Sequence, residues 1–187
     1  MKSRKLFKVC ALLMLAVMSC LLFSGCGGQS EQKKFVITYL PNESTDKNAD
    51  ARKGMAGDLS KVLGMEVTEL VSNDYNAVIE AMRIGKADMA YFGPLSFCLA
   101  YERAGAEPIG MIAKDKDKKN ATYKSVLVTS SKNTDINSIQ DIKGKTMAFV
   151  DPNSTSGNLI PSAAIMKAFP GEKLSMDDLH TNGKFFQ

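Results

Sequence analysis

The sequence contains no tryptophan, one histidine and, beyond residue 26, one cysteine. Each scarcity removes a class of function. With His180 and Cys98 alone, no His/Cys metal cluster can be assembled. A single downstream cysteine can close no intrachain disulfide, even in an oxidising compartment. The Gly-x-Ser-x-Gly elbow is absent, and the serine-rich loop at 151–157 lacks the lysine of a P-loop. An activated serine there would need a base, and His180 lies far along the chain with no orienting motif. Internal repeats and low-complexity tracts are missing as well. No cofactor or metal is therefore expected, and the chain is read as a non-enzyme.

The N-terminus does carry a signal. Lys2, Arg4, Lys5 and Lys8 precede an uncharged, largely apolar run from Val9 to Phe23, the length of a signal-peptide core and short for a transmembrane helix. It ends in Leu22-Phe23-Ser24-Gly25-Cys26, which resembles a bacterial lipobox with Phe23 where leucine is commonest. Val17-Met18-Ser19-Cys20 fits that pattern less well, and an uncleaved anchor is the alternative. Residues 1–25 are thus expected to be a lipoprotein signal peptide, with Cys26 the acylated first residue and 26–33 a tether. The four basic residues account for the whole excess of 24 basic over 20 acidic side chains. The exported protein is near neutral, which argues against a nucleic-acid partner.

After residue 34 the pattern alternates. Phe35–Leu40, Met65–Val71, Ala87–Phe92, Pro108–Ala113, Tyr123–Thr129 and Thr146–Val150 read as strands. Met55, Leu59, Val62 and Leu63 mark one helix face, and Tyr75, Val78, Ile79 and Met82 a second. Asn73 or Asp74 caps the second helix, and Pro94 opens a third, with Leu95, Cys98 and Leu99 along one side and Cys98 expected to be buried. Residues 114–120 form a solvated charged loop, and Phe185-Phe186 reads as the start of a strand. Strands and helices in alternation predict an α/β layer with a largely parallel sheet, whose ligands bind beyond the carboxyl ends of the strands.

Two strand-to-helix corners sit at such ends: Phe92-Gly93-Pro94 and Asp151-Pro152-Asn153-Ser154-Thr155-Ser156-Gly157. The first N–H groups of a helix have no internal partner and carry the positive end of its dipole, so they suit an oxyanion. Ser and Thr hydroxyls add donors, Pro152 holds Asp151 extended, and Gly157 permits a close approach. The plainer reading of the second corner is an ordinary capped helix.

Four stretches, taken in order and spacing, resemble one family. They are Asp74-Tyr75-Asn76-Ala77-Val78-Ile79-Glu80-Ala81-Met82-Arg83, Tyr91-Phe92-Gly93-Pro94, Tyr123-Lys124-Ser125-Val126-Leu127-Val128, and Asp151 to Gly157 with Pro161. The family is the solute-binding component of phosphonate/phosphite ABC transporters. The resemblance implies a two-lobed α/β fold of the type II periplasmic-binding-protein kind, with 34–122 the first lobe and 123–187 the crossover strand and part of the second. It implies a ligand site of Tyr75, Phe92, Gly93, Pro94, Tyr123, Ser154, Thr155 and Ser156, with Tyr91 packed beneath. The implied ligand is a small phosphorus oxyanion, the partner a membrane ABC permease, and the location the outer side of the cell membrane, held by lipid at Cys26. Family members carry a glycine-histidine-acid segment beyond the last residue here, which His180 does not match. The chain is therefore expected to be C-terminally truncated, with the first lobe largely present and the second incomplete. A sulfonate receptor, a structural surface lipoprotein and a phosphoryl-processing enzyme remain the alternatives.

Overall fold

The computed structural model describes residues 33–113, 115–181 and 183–186. The signal peptide, Cys26 and all but the last residue of the tether lie outside the described residues. Strand β1 (Phe35–Tyr39) is the centre of a parallel three-stranded sheet, flanked by β2 (Val67–Leu70) and β3 (Met89–Tyr91) in the order β2-β1-β3. Ile37, Thr38 and Tyr39 are buried in succession, so both faces of β1 are covered, as befits a central parallel strand. The buried Thr38 hydroxyl is satisfied by donating to the Leu70 carbonyl at 2.8 Å. Asp88 staples the start of β3 to β1: its carboxylate accepts from Val36 N at 2.8 Å, and its own N–H donates to Val36 O.

Helix α1 (Ala49–Leu63) crosses from β1 to β2, α2 (Tyr75–Arg83) from β2 to β3, and α3 (Pro94–Ala104) follows β3. Asp74 starts α2 by accepting from Ala77 N at 2.8 Å. The helix then buries Tyr75, Val78 and Ile79, the face its spacing predicts. Tyr75 and Val78 pack with Leu40, Ile79 packs with Ala100 and Ala106, and Phe92 belongs to both clusters. Burial of Val78 and Ile79 contributes about 1.5–3 kcal/mol each.

Two expectations about helix faces fail. The apolar stripe of α1 is not buried: Met55 and Leu63 are exposed and Val62 is 83% exposed. Polar contacts hold α1 instead. The Arg52 guanidinium sits 5.8 Å over the Tyr39 ring, donates to the carbonyls of Glu43 and Thr45, and brings Nε 2.7 Å from a Glu69 carboxylate oxygen as an ion pair. Cys98 is exposed. Helix α3 buries Ser96 and Ala100, four residues apart, which turns the residue midway between them to the opposite side.

A third cluster lies after residue 138. Ile165 on α4 (Ile160–Ala168), Leu179 on α5 (Met176–His180), Phe185 and Phe186 form it, with Ile139, Ile142, Met147 and Phe149 packed against them. Phe185 and Phe186 are thus core side chains and not the start of a strand, with the Phe185 carbonyl accepting from Gly144 N at 2.9 Å. Segments 108–113, 123–129 and 146–150 form no strand either. Strands exist by pairing, and no described segment runs beside these to complete a ladder, so Ile109 and Val128 stay 84% and 88% exposed. The charged loop is solvated as expected over the described residues 115–120.

Candidate ligand-binding site

The two strand-to-helix corners predicted from the sequence meet. Leu95, second in α3, donates its backbone N–H to the Thr155 hydroxyl at 2.9 Å. This is one of the N–H groups that an α-helix cannot satisfy internally. Gly93 faces the same spot: a side-chain carbon there would lie 3.4 Å from Thr155 Oγ1 and 3.8 Å from the Tyr123 hydroxyl. Pro94 is the first residue of α3, where its missing N–H costs nothing. Ser96 closes the turn by exchanging bonds with Gly93 N and O, both at 3.1 Å.

The opposing loop is built on a wide turn. Thr155–Leu159 winds as a π turn before α4 begins, with Leu159 N reaching back five residues to Ser154 O at 3.0 Å. Ser154 caps this turn, its hydroxyl accepting from Gly157 N at 3.1 Å. Gly157 lets the loop pack closely, because a β-carbon there would fall 2.4 Å from Val150 Cγ2. Asn158 is buried and donates to Pro152 O at 2.7 Å, while the Asp151 side chain accepts from Asn153 N at 2.8 Å. Ser125 donates to the Ser156 carbonyl at 2.7 Å, which docks the 123–129 segment on the loop.

Tyr75 stands between the corners. Its ring is buried, and its hydroxyl donates to Asn42 Oδ1 at 3.0 Å. Burial pushes the Tyr75 phenol above its ordinary pKa, a hydrogen bond with Ser154 works the other way, and the negative charges of Asp151 and Glu43 raise it further. Tyr91 is raised too, by burial first and then by Glu43 and Tyr123. At 37% exposed, Tyr91 borders the site beside Glu43 and Tyr123, whereas the sequence placed it underneath. Tyr123 is exposed.

The geometry therefore gathers Tyr75, Gly93, Pro94, Tyr123, Ser154 and Thr155 at one junction. Phe92 supports it from the core beneath. Ser156 takes part through its carbonyl. The Ser154 hydroxyl accepts from Gly157 N, as a plain capped turn would have it, whereas the Thr155 hydroxyl accepts from Leu95 N across the junction. A hydroxyl that accepts from behind still has its own proton to donate, so Thr155 can present an O–H to an oxyanion while its oxygen stays anchored. The site is lined with directed, uncharged donors, and the charges that bear on Tyr75 are acidic.

Asn42 is the contributor that sequence reasoning missed. It lies just past the carboxyl end of β1, and the rule that pointed to the other two corners would have found it. His180, read from sequence as a surface residue near a helix end, is exposed at the end of α5, its ring tilted 52° against that of Phe149 at 4.0 Å, with Nε2 3.1 Å from Ser162 Oγ. A shallow groove on α1, lined by Met55, Asp58, Leu59 and Val62, is apolar and offers no comparable set of donors.

Comparison with known proteins places this arrangement in a class. Residues 37–182 match the family described as the periplasmic substrate-binding protein of phosphonate ABC transporters, and the chain belongs to that family. It is 31% identical to a phosphate-import protein of Mycolicibacterium smegmatis over 79% of this chain and 49% of that one. It is also 31% identical to the phosphonates-binding periplasmic protein of Escherichia coli, over 75% of this chain and 42% of the other. A solved binding-protein component of an ABC phosphonate transporter from Pseudomonas aeruginosa shares the fold, with a TM-score of 0.64 at 24% identity, over 79% of this chain and 48% of that one. The fold is accordingly that of a type II periplasmic binding protein. The chain spans about half the length of the curated relatives it matches.

Proposed function

We propose that the protein is the solute-binding component of an ABC importer that captures a small phosphorus oxyanion, such as a phosphonate or phosphite, and delivers it to a membrane permease. The observation that carries this reading is the meeting of Leu95 N and Thr155 Oγ1, which sets two helix starts against each other beside Tyr75 and Tyr123. Donors of this kind recognise an anion through direction and through helix dipoles without a side-chain cation. The functions of the relatives, phosphate import and phosphonate binding, fall in the same ligand class. Residues 34–122 and 123–187 serve as one lobe and part of another, in keeping with their separate cores. Export and acylation at Cys26 follow from the N-terminal pattern and hold the receptor beside its permease. Calorimetric titration with methylphosphonate, phosphite, phosphate and sulfate tests the assignment. Binding of a phosphorus oxyanion over sulfate is expected, and equal indifference to all four overturns it.

One observation favours a second reading, a receptor for a sulfonate. Asp151 and Glu43 lie near Tyr75, and two carboxylates disfavour a doubly charged ligand. A sulfonate is singly charged at every pH, whereas a phosphonate meets that condition only in the form that keeps one proton. Competition between methylphosphonate and methanesulfonate at pH 6 and pH 8 separates the two.

A further inference from the structure

The two cores meet through polar bonds placed around the candidate site, and one of these bonds stands outside it. Asn153, on the serine-threonine loop, donates through Nδ2 to Asn76 Oδ1 at 3.1 Å, a contact between groups 77 residues apart. Asn76 is the second residue of α2, directly after Tyr75. The same Asn76 oxygen accepts from Arg103 Nη1, in the last turn of α3, at 3.2 Å.

That second bond fixes the chemistry. An Asn side chain presents an oxygen on one side and an NH2 on the other, and its neighbours decide which faces where. Arginine can only donate, so Arg103 obliges Asn76 to turn its oxygen toward it. With the acceptor so set, and polarised by a guanidinium, Asn153 has a fixed place to donate. On the loop side, Asp151 accepts from Asn153 N at 2.8 Å and holds that residue in the turn. Each half of the contact is thus held by its own lobe before the two meet.

We propose that Asn76, aimed by Arg103, is a clasp that holds the 151–157 loop against α2 and so sets how long a ligand stays in the site. Asn76 is a positioning residue, acting through Asn153 on the loop that carries Ser154 and Thr155. The inference rests on the reading of that junction as an oxyanion site. Separating the junction breaks the Asn76–Asn153 bond along with Leu95–Thr155, and the clasp therefore slows opening more than it speeds entry. It is absent from the set of residues that the family resemblance assigns.

The test uses the full chain with two substitutions. Asn76→Ala removes the acceptor and leaves a good helix former at an exposed position, while Asn76→Asp keeps an acceptor for both Asn153 and Arg103. Hydrogen exchange of the amides at 153–157 is measured without ligand. The release rate of methylphosphonate is followed by stopped-flow tyrosine fluorescence. The expected result is about tenfold faster exchange and about tenfold faster release in Asn76→Ala (~1.4 kcal/mol), with an unchanged association rate and wild-type behaviour in Asn76→Asp. Unchanged exchange in Asn76→Ala overturns the clasp whatever the ligand proves to be. Faster exchange with unchanged release overturns its role in retention. An Asn76→Asp variant as impaired as Asn76→Ala overturns the assignment of the acceptor. A wild-type chain indifferent to every phosphorus oxyanion refutes the proposed function instead, and the exchange measurement then decides the clasp by itself.

Discussion

The Leu95 N–H and the Thr155 hydroxyl lie 2.9 Å apart, though sixty residues separate them in the chain. One belongs to the corner after β3 and the other to the turn before α4, so this single bond brings the start of α3 to the turn that leads into α4. A helix start has donors to spare, and here one of them is met by a side chain that also has a proton to give.

Thr155→Val keeps the shape of the side chain and removes the hydroxyl. It takes away the O–H offered to the ligand, and affinity for a phosphorus oxyanion is expected to fall by about 1.5–3 kcal/mol, the worth of a hydrogen bond to a charged group. Thr155→Ser restores the oxygen and is expected to recover most of the loss. Calorimetry on both variants measures it, and equal affinities for the valine and serine variants would place the ligand elsewhere.

Gly157→Ala is expected to destabilise the fold. The added carbon would sit 2.4 Å from Val150 Cγ2 and 2.9 Å from Ser154 Oγ, a clash that displaces the cap of the π turn. Overpacking of this kind costs about 1–3 kcal/mol. Adding Val150→Gly removes both close atoms, Cγ2 and the β-carbon at 2.5 Å, and recovers part of it. Denaturant unfolding of the two single variants and the double variant reads the coupling between the sites.

Alkaline pH is expected to weaken the fold through its phenols. Tyr39, Tyr75 and Tyr91 are all raised above the ordinary 10.0, in each case chiefly by burial. A group whose folded pKa lies above its unfolded value contributes fully below the unfolded value and loses that contribution as pH climbs through the folded one. Stability measured by denaturant unfolding should hold from pH 7 to 9 and decline above about 10. Tyr75→Phe should flatten part of that decline, and an identical alkaline limb in the variant would remove Tyr75 from the account.

Asp74→Ala removes the cap of α2 and leaves Ala77 N unmet. A loss of about 1 kcal/mol in unfolding free energy is expected. Because α2 begins with Tyr75 and Asn76, the same variant is also expected to loosen the 151–157 loop, visible as faster amide exchange there.

Much of this was legible in the residues. The α2 face declared itself by spacing, with Tyr75, Val78 and Ile79 buried as the period requires. The parallel sheet followed from alternation, and the two helix-start corners that meet were marked by their Gly-Pro and Ser-Thr-Ser residues. What escaped was whatever depends on a partner from elsewhere in the chain. The apolar run at 123–129 has the composition of a strand, but composition cannot supply a neighbour to bond with, and the segment stays unladdered. The α1 stripe has helical spacing, yet the helix is held by Arg52 through Glu69, Glu43 and Thr45. Cys98 was assigned to the wrong side because the buried phase of α3 is set by Ser96, a small polar residue that hydropathy does not count as core. Asn42 escaped for a related reason: an asparagine in a polar loop shows its value only once Tyr75 is brought to it.

The π turn at Thr155–Leu159 carries one residue more than an α turn needs. Removing a residue there would not break the helix. It would restore regular α hydrogen bonding and rotate everything before the deletion by roughly 100° relative to Ile165 and the core behind it. Such a deletion would leave a folded protein whose hydroxyls faced away from the junction. The length of this loop, counted to the single residue, therefore decides which way its hydroxyls face as much as the identity of any side chain in it.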